Sequence, residues 1–445
     1  YGSSCFNRGR IAYYKNDYPE AEKWYLESKD IREKYLGKAH PDYVATLNNL
    51  ASLYVKMLKY EKAELLYIEA NAIREKVLGK EHPDYAGNLI NLALLYDGMG
   101  QFEKVEPLYL KAKEIFEGSN NLKHPYYINC LNNLATLYHS MGQFEKAEPL
   151  YLESIAIGEK TEGKEHPDYA SKLDNLAALY YDMGQYEKAE ALLLKSKAIR
   201  EKALGKEHPD YASSLNNLAA LYYGMGQYEK AEPLYLESIA IGKKTLGKEH
   251  LDYAGRLNNL AVLYTDMDQY EKAEPLYLEA KAIREKALGK EHPDYASCLN
   301  NLASLYTDMD QYKKAEPLFL EAKAIREKVL GKEHPDYASS LNNLANLYDH
   351  MDQYEKAEPI YLEAIAIHEK ALGKGHPLYA MSLNDLANLY YNMGQYEKAE
   401  PLYLESKAIK EKALGKEHPD YPASLYNLAI LYKDMGQYEK AEPLY

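Results

Sequence analysis

The sequence repeats itself with a period of 42 residues, and this period limits the folds that the chain can adopt. A tyrosine recurs at Tyr1, Tyr43, Tyr85, Tyr127, Tyr169, Tyr211, Tyr253, Tyr295, Tyr337, Tyr379 and Tyr421, and nearly the same residues follow it each time. Self-similarity at this period is typical of repeat proteins, in which each repeat packs on its neighbours. We therefore expect one array, and not the three or so domains that are average for 445 residues.

Ten complete repeats and part of an eleventh account for the whole chain. The repeats are 1–42, 43–84, 85–126, 127–168, 169–210, 211–252, 253–294, 295–336, 337–378, 379–420 and the partial repeat 421–445. No stretch between them has the composition of a linker. Because the chain begins without Met and stops inside a repeat, we expect it to be a fragment of a longer protein.

Each repeat is predicted to form two helices, helix A and then helix B. In repeat 211–252, helix A is indicated by apolar residues at the i, i+3, i+4, i+7 spacing of one helical face, namely Leu215, Leu218, Ala219 and Tyr222. Helix B is predicted from Tyr228 to about Leu246 by the same spacing. Asp210 is expected to be the N-cap of helix A, because its carboxylate can accept hydrogen bonds from the first turn.

Glycines are predicted to end both helices of each repeat. Gly226 follows helix A and Gly247 follows helix B, and glycine adopts the left-handed conformation of such ends at little cost. Where the counterpart of Gly226 changes, it becomes Asn16, Asp268, Asp310, Asp352 or, as the one misfit, Leu58. Asn and Asp also tolerate that conformation, so the turn geometry is expected to persist.

The repeated motifs resemble a known family. The orders L-x-x-L-A-x-x-Y and G-x-Y-x-x-A-x-x-x-Y resemble the tetratricopeptide repeat, and the 42-residue length with LNNLA, AEPLY and LGKEHPD is similar to the variant of kinesin light chains and many bacterial sensor proteins. This resemblance implies an all-α fold, an α-solenoid in the form of a right-handed superhelix. It also implies that helix A lines a concave groove and that the partners are peptides or other proteins.

One asparagine per repeat is the main candidate for binding in that groove. Around helix A, Asn217 lies opposite the apolar arc, and an amide can both donate to and accept from the backbone of an extended peptide. The predicted ladder is Asn49, Asn91, Asn133, Asn175, Asn217, Asn259, Asn301 and Asn343, with Asn7 and Asn427 in register and Asp385 as the only departure. The alternative is that these amides bridge adjacent helices and hold the stack together.

Aspartates on the same side of helix A suggest the charge of the partner. Asp182, Asp266 and Asp308 are placed on the groove side, near the C-terminal end of helix A. A concave surface of one charge attracts the opposite charge, so we predict a neutral or basic ligand segment. The alternative is that these aspartates only keep the protein soluble.

The remaining histidines and cysteines are predicted to have no chemical role. The histidine of the HPD motif occurs once per repeat, too far from its counterparts to share a metal ion, and is expected to order the loop before helix A. His139, His350 and His368 are expected at the surface or in the groove. Cys5, Cys130 and Cys298 are too far apart in the array for a disulfide, so we predict neither a metal site nor a cofactor.

Composition excludes several classes of function. The net charge of −14 argues against nucleic acid as a partner, and no apolar run is long enough for a membrane span. No motif typical of an enzyme occurs, so we expect no catalysis and a cytoplasmic location. The favoured function is a protein-protein interaction scaffold that binds an extended peptide or partner protein in the groove. The alternative is the sensor arm of a larger effector with an NTPase or protease part.

Overall fold

The computed structural model describes residues 1–416, 418 and 420–445. All regular secondary structure among these residues is helical. They contain 22 α-helices and one short 3-10 helix, and no strand lies among them. Helix A of successive repeats is α1 (Gly2–Tyr14), α3 (Pro41–Lys56), α5 (Pro83–Gly98), α7 (Pro125–Ser140), α9 (Pro167–Asp182), α11 (Pro209–Gly224), α13 (Leu251–Asp266), α15 (Pro293–Asp308), α17 (Pro335–His350), α19 (Pro377–Asn392) and α21 (Asp420–Asp434).

Helix B follows each helix A after a short turn. The B helices are α2 (Tyr18–Leu36), α4 (Tyr60–Leu78), α6 (Phe102–Gly118), α8 (Phe144–Thr161), α10 (Tyr186–Leu204), α12 (Tyr228–Thr245), α14 (Tyr270–Leu288), α16 (Tyr312–Leu330), α18 (Tyr354–Leu372), α20 (Tyr396–Ala413) and the short α22 (Tyr438–Ala441), which the 3-10 helix Glu442–Leu444 follows. The predicted alternation of two helices per repeat is therefore confirmed.

Helices that are adjacent in sequence pack together. Helix α9 packs on α10 within one repeat, and α10 then packs on α11 of the next repeat. This is the helix-turn-helix packing of an α-solenoid, as predicted. The contacts divide the chain into two compact bodies, the N-terminal body Tyr1–Leu137 and the C-terminal body Tyr138–Tyr445. That the whole chain forms one uninterrupted array stays a prediction.

The start of helix A differs from the prediction, which placed Asp210 at the N-cap. Helix α11 begins at Pro209, and its N-cap is His208, whose ring Nδ1 accepts a hydrogen bond from the backbone N–H of Asp210 at 3.1 Å. Asp210 therefore lies in the first turn, where its negative charge interacts favourably with the positive end of the helix dipole. Proline suits the first helical position because its missing N–H would have no partner there.

The same arrangement explains the repeated histidines. In each case ring Nδ1 accepts from the backbone two residues later, which orders the loop as expected, at His40, His82, His124, His166, His208, His250, His292, His334 and His376. A protonated ring could not accept this hydrogen bond.

The predicted left-handed turns are also present. Gly226 has φ +68° and Gly247 has φ +87°, and Asp268 has the same hand at +56°. Leu58 has φ +57° although it carries a branched side chain. The turn geometry is therefore the same where the glycine is replaced, and Leu58 has to adopt a conformation that leucine disfavours.

Small residues and tyrosines form the core between the helices. In the C-terminal body, Ala219 and Ala231 are completely buried and Tyr235 is nearly so. In the N-terminal body their counterparts Ala51 and Ala63 are also completely buried, and Tyr67 is nearly so. Because alanine lets two helix backbones approach closely, the aromatic rings fill the space beside each crossing.

A tyrosine-glutamate hydrogen bond joins helix B to helix A of the next repeat. The Tyr222 hydroxyl donates to Glu190 Oε1 at 2.6 Å, and Tyr264 donates to Glu232 Oε1 at 2.8 Å. Burial and the neighbouring carboxylate raise the pKa of Tyr264 to about 12. The same bond is made by Tyr54, Tyr96, Tyr180, Tyr306, Tyr348, Tyr390 and Tyr432.

Candidate functional site

The exposed surface of the A helices carries several pockets in the C-terminal body. A pocket of about 270 Å³ lies between α9 and α11, where it is lined by Asn175, Tyr181 and Asn217 among others. A second pocket, of about 360 Å³, is lined by Asn217 and Asn259 of α11 and α13. Members of the asparagine ladder therefore border open space on the A side of this body.

A third pocket, of about 350 Å³, lies along α17, α19 and α21. Its lining includes Asp349, Asn388 and Asn427, and the buried Tyr403 closes one side. The Tyr403 hydroxyl donates to Asn388 Oδ1 at 2.6 Å, and Asn392 Nδ2 donates to both oxygens of Asp349 at 3.1 and 3.2 Å. Amide and carboxylate groups of these A helices are thus held in fixed positions.

The ladder asparagines make two kinds of contact. Asn259 Nδ2 donates to Asn216 Oδ1 of the preceding repeat at 3.2 Å, and Asn301 donates to Asn258 in the same way at 2.8 Å. Asn427 bonds to Asn384 at 3.2 Å. The bridging role that sequence left open is therefore present at these three junctions.

Other ladder asparagines have no protein partner among the described residues. Asn217 is partly buried, makes no hydrogen bond and lines two pockets. Asn175 is exposed and also makes none. Asn91 and Asn343 are partly buried and have no hydrogen-bond partner in the described part of the chain. In contrast, Asn49 donates to Ala45 O of its own helix at 2.9 Å, and Asn133 contacts Tyr109. The ladder thus contains amides that are available to a ligand and amides that are already used.

Two of the predicted aspartates are bound by the preceding repeat. His139 Nε2 lies 2.6 Å from Asp182 Oδ2, and the Tyr223 hydroxyl donates to Asp266 Oδ2. Asp308 is exposed and has no such partner, because Thr265 stands at the position of Tyr223 and donates to Ala261 O instead. These pairs are not among the predicted ones, although both join residues with the same separation of 43, one repeat plus one, which is visible in the sequence.

Asp385, the one carboxylate in the asparagine ladder, has an unusual environment. It is partly buried, and burial raises its pKa to about 7, with Lys410 opposing this shift and Asp349 adding to it. No hydrogen bond to Asp385 is present in the described part of the chain. Burial therefore favours the neutral carboxyl of Asp385 well above the pH range in which an ordinary aspartate is protonated.

The unrepeated histidines and the cysteines occupy mixed positions. His350 lines the pocket of α17, α19 and α21, but His368 is completely buried, so its predicted place at the surface or in the groove is wrong. Its ring bonds to Ser382 Oγ at 2.9 Å, and burial lowers its pKa to about 4. Cys5, Cys130 and Cys298 are buried free thiols. No group of metal-binding side chains occurs in the described residues.

The repeats of the chain match models of known protein families. A family model described as tetratricopeptide repeat matches residues 4–76, 59–118, 168–244, 252–328, 299–370, 342–412 and 378–445, and a second model of that description matches 128–168. The chain belongs to the tetratricopeptide repeat family. A model described as anaphase-promoting complex subunit 5 also matches residues 207–288.

The chain is also similar to several solved structures. The chain is 32% identical to a putative kinesin light chain with nearly identical TPR-like repeats from Podosopora anserina, with 46% of this chain and 98% of that chain covered and a TM-score of 0.38. It is 25% identical to BtubC (BKLC) from P. vanneervenii, with coverage of 52% and 91% and a TM-score of 0.40. A Rap protein complexed with competence and sporulation factor is 16% identical, with coverage of 83% and 98% and a TM-score of 0.55.

Membership of the family has direct consequences. Tetratricopeptide repeats are generally non-catalytic and support protein-protein interaction, so the chain is an interaction scaffold by fold. A search of curated proteins gives no significant match. Among the described helices, none has both the length and the apolar character that crossing a membrane requires.

Proposed function

We propose that this scaffold binds an extended peptide, or an extended segment of a partner protein, along the exposed surface of its A helices. The observation that carries the proposal is Asn217, a partly buried amide without a protein partner that borders two pockets. An amide in this position can pair with a peptide backbone whatever the side chains of the ligand are. Asn175 offers a second free amide in one of the same pockets.

The charge of this surface favours a neutral or basic segment. Asp266 and Asp308 are exposed on neighbouring A helices, and Asp182 is partly buried at the same position of helix A two repeats before Asp266. Only Asp308 lacks a contact from the preceding repeat, so it is the carboxylate most available to a cationic side chain. Binding through such charges should weaken as salt is raised.

Replacing the asparagines that have no protein partner tests whether their amides bind the peptide. Asn175 and Asn217 are replaced together by Ala, and binding is measured to peptides selected from a library of short randomised sequences. We expect a loss of affinity of about tenfold or more with unchanged helicity, since each lost hydrogen bond contributes about 0.5 to 1.5 kcal/mol. The matched control replaces the exposed helix B residues Ala240 and Ala282 by Ser, and it should bind as the parent does.

Replacing the bridging pair Asn259 and Asn301 by Ala should instead lower the unfolding temperature. If the Asn175 and Asn217 variant unfolds, the ladder serves only to hold the stack together. If no peptide is enriched by the parent protein, or the variant binds every selected peptide normally, the proposed groove is refuted. Enrichment of Glu-rich over Lys-rich peptides would refute the charge preference alone.

A further inference from the structure

Repeats 169–210 and 253–294 carry two cations at equivalent positions. Lys172 and Arg256 are each the sixth residue of helix A, in α9 and α13. Arg200 and Arg284 occupy the same position near the end of helix B, in α10 and α14. Because the two repeats share these positions, one of them serves as an internal reference for the other.

In repeat 169–210 both cations are paired with carboxylates. Lys172 Nζ lies 2.9 and 2.7 Å from the two oxygens of Glu162. Arg200 Nη1 lies 2.6 Å from Asp174 Oδ2, and its Nη2 donates to Ser171 Oγ at 3.0 Å. The positive charges of Lys172 and Arg200 are therefore neutralised by carboxylates of the protein itself.

In repeat 253–294 every one of these partners is absent from the sequence. Leu246 stands at the position of Glu162, Asn258 at that of Asp174, and Gly255 at that of Ser171. Within the described residues, no ion pair joins Arg256 or Arg284 to a carboxylate. Repeat 253–294 therefore has both cations but neither of the two carboxylates that pair with them in repeat 169–210.

The two arginines bond only to neutral acceptors. Arg256 is 4% exposed and donates to Pro209 O and Ser213 Oγ, both at 3.2 Å. Burial lowers the pKa of Arg256, and the charges of Asp252 and Asp210 oppose this shift without forming an ion pair with the guanidinium. Arg284 Nη1 donates to Cys298 Sγ at 3.0 Å, and Arg284 Nη2 has no acceptor in the described part of the chain.

The arginines and several amides border one pocket. Its volume is about 360 Å³, and its lining includes Arg256, Arg284, Asn216, Asn217 and Asn259. A Cβ added to Gly255 would have only one neighbouring atom within 4 Å, Arg284 Nη2 at 3.9 Å. The space between Gly255 and the Arg284 guanidinium is therefore open. The pocket therefore presents hydrogen-bond donors around an open volume.

The start of α13 differs from that of the other A helices. Leu251 stands where the other described A helices from α3 to α19 have proline, so this first turn carries one more backbone N–H, and Leu251 lines the pocket. Asp252 and Asp294 also line the pocket. Their counterparts Asp168 and Asp210 are present in the neutralised repeat as well, so they do not replace the two lost carboxylates.

We propose that this pocket binds an oxyanion, carried as a carboxylate or a phosphate group. Guanidinium groups match the oxygens of either group and form strong charge-assisted hydrogen bonds with them. The bound anion would supply the negative charge that Glu162 and Asp174 supply two repeats earlier. The proposal does not depend on the binding of an extended segment, because a free ion is sufficient to test it.

The test uses inorganic phosphate and acetate as probes in chloride buffers of equal ionic strength. Calorimetric titration of the whole chain should detect binding of one or both ions. The double variant Leu246→Glu, Asn258→Asp restores the carboxylates of the reference repeat, and we expect it to bind the ion at least about tenfold more weakly, because the protein's own carboxylates then occupy the arginines. Phosphate alone, acetate alone or both would each identify the source of the oxyanion.

The matched control is Asn300→Asp, which adds the same charge at the same position of the following repeat. It should leave the affinity for the ion within about twofold of the parent, since its charge lies beyond the pocket. If neither ion binds the parent chain, the proposal is wrong. It is equally wrong if the double variant, folded by circular dichroism, binds the ion as tightly as the parent.

Discussion

Arg256 occupies the space in which a side chain of residue 242 would lie. A Cβ added to Gly242 of α12 would overlap Arg256 Nη1, which enters this space from α13. The same relationship holds between Gly158 and Lys172, where the added Cβ would lie 2.9 Å from the lysine Cδ. At both junctions helix A supplies the cation and helix B supplies a glycine.

The other junctions use the opposite arrangement. Arg200 comes from helix B, and its Nη1 donates to the small Ser214 of the next helix A at 2.7 Å. Cationic residues or histidine stand at this helix B position at Arg32, Arg74, Arg200, Arg284, Arg326, His368 and Lys410. Phe116 with Cys130 is the apolar exception. A basic side chain, supplied either by helix A or by helix B, therefore lies at nearly every junction between repeats.

This exchange predicts a rescue by a second substitution. Gly242→Arg should destabilise the chain by about 1 to 3 kcal/mol, because two guanidinium groups would compete for one buried space. Adding Arg256→Ser recreates the pair Arg200 and Ser214, and should recover stability to within about 1 kcal/mol of the parent. Urea unfolding of both single variants and the double variant gives the coupling energy. Strictly additive effects would show that the two positions do not share this space.

Asp385→Asn is expected to stabilise the protein in a pH-dependent manner. The folded-state pKa of Asp385, about 7, lies above the value of about 3.9 for an unfolded aspartate. Its contribution to stability is therefore present below pH 4 and is lost as pH rises to 7. The variant should gain about 1 kcal/mol or more at pH 8 and little at pH 4, since each pKa unit corresponds to 1.36 kcal/mol.

Thermal unfolding at the two pH values measures this difference. The control Asp168→Asn changes a carboxylate that is 73% exposed, so it should show no such pH dependence. An equal gain for Asp385→Asn at both pH values would contradict the assignment of a raised pKa.

The tyrosine-glutamate bonds predict loss of stability in alkali. The folded-state pKa of Tyr264, about 12, exceeds the unfolded value of about 10. Stability from this bond is complete below pH 10 and is lost as pH rises through 12. Tyr264→Phe should cost about 1 kcal/mol at pH 8, and this cost should shrink as pH approaches 12.

Unfolding in urea across this pH range gives the comparison, with Tyr35→Phe as the control because Tyr35 is 72% exposed. The control should cost little at any pH. A Tyr264→Phe deficit that stays constant from pH 8 to 12 would show that the hydroxyl ionises normally.

Leu58→Gly is expected to stabilise the N-terminal body. Leu58 has φ +57°, which is unfavourable for leucine by about 1 to 2 kcal/mol. Loss of its partly buried side chain offsets part of that gain, so we expect a net stabilisation of about 0.5 to 1 kcal/mol. Asp268→Gly, at φ +56°, should gain less because aspartate tolerates this conformation. Equal gains at the two positions would count against the role of leucine strain.

Sequence alone determined the elements of this protein, because the interactions that define them are local. The spacing of Leu215 and Leu218 predicted helix A, and Gly226 and Gly247 predicted the ends of both helices. The period of 42 residues then required neighbouring repeats to bury each other's apolar faces. The N-cap was misplaced because a histidine is an uncommon cap, and its role depends on the position of ring Nδ1.

Only the tertiary structure decided which side chains of adjacent repeats meet. The sequence placed Asn217 and Asn259 in one equivalent ladder, yet Asn259 bonds to the preceding repeat and Asn217 does not. The acceptor of Asn259 is Asn216, whereas Asp174 stands at that position before Asn217, and its Oδ2 is held by Arg200. Contacts between repeats depend on pairs of positions 14, 32 or 43 residues apart, and a periodicity that treats all repeats as equal cannot distinguish them.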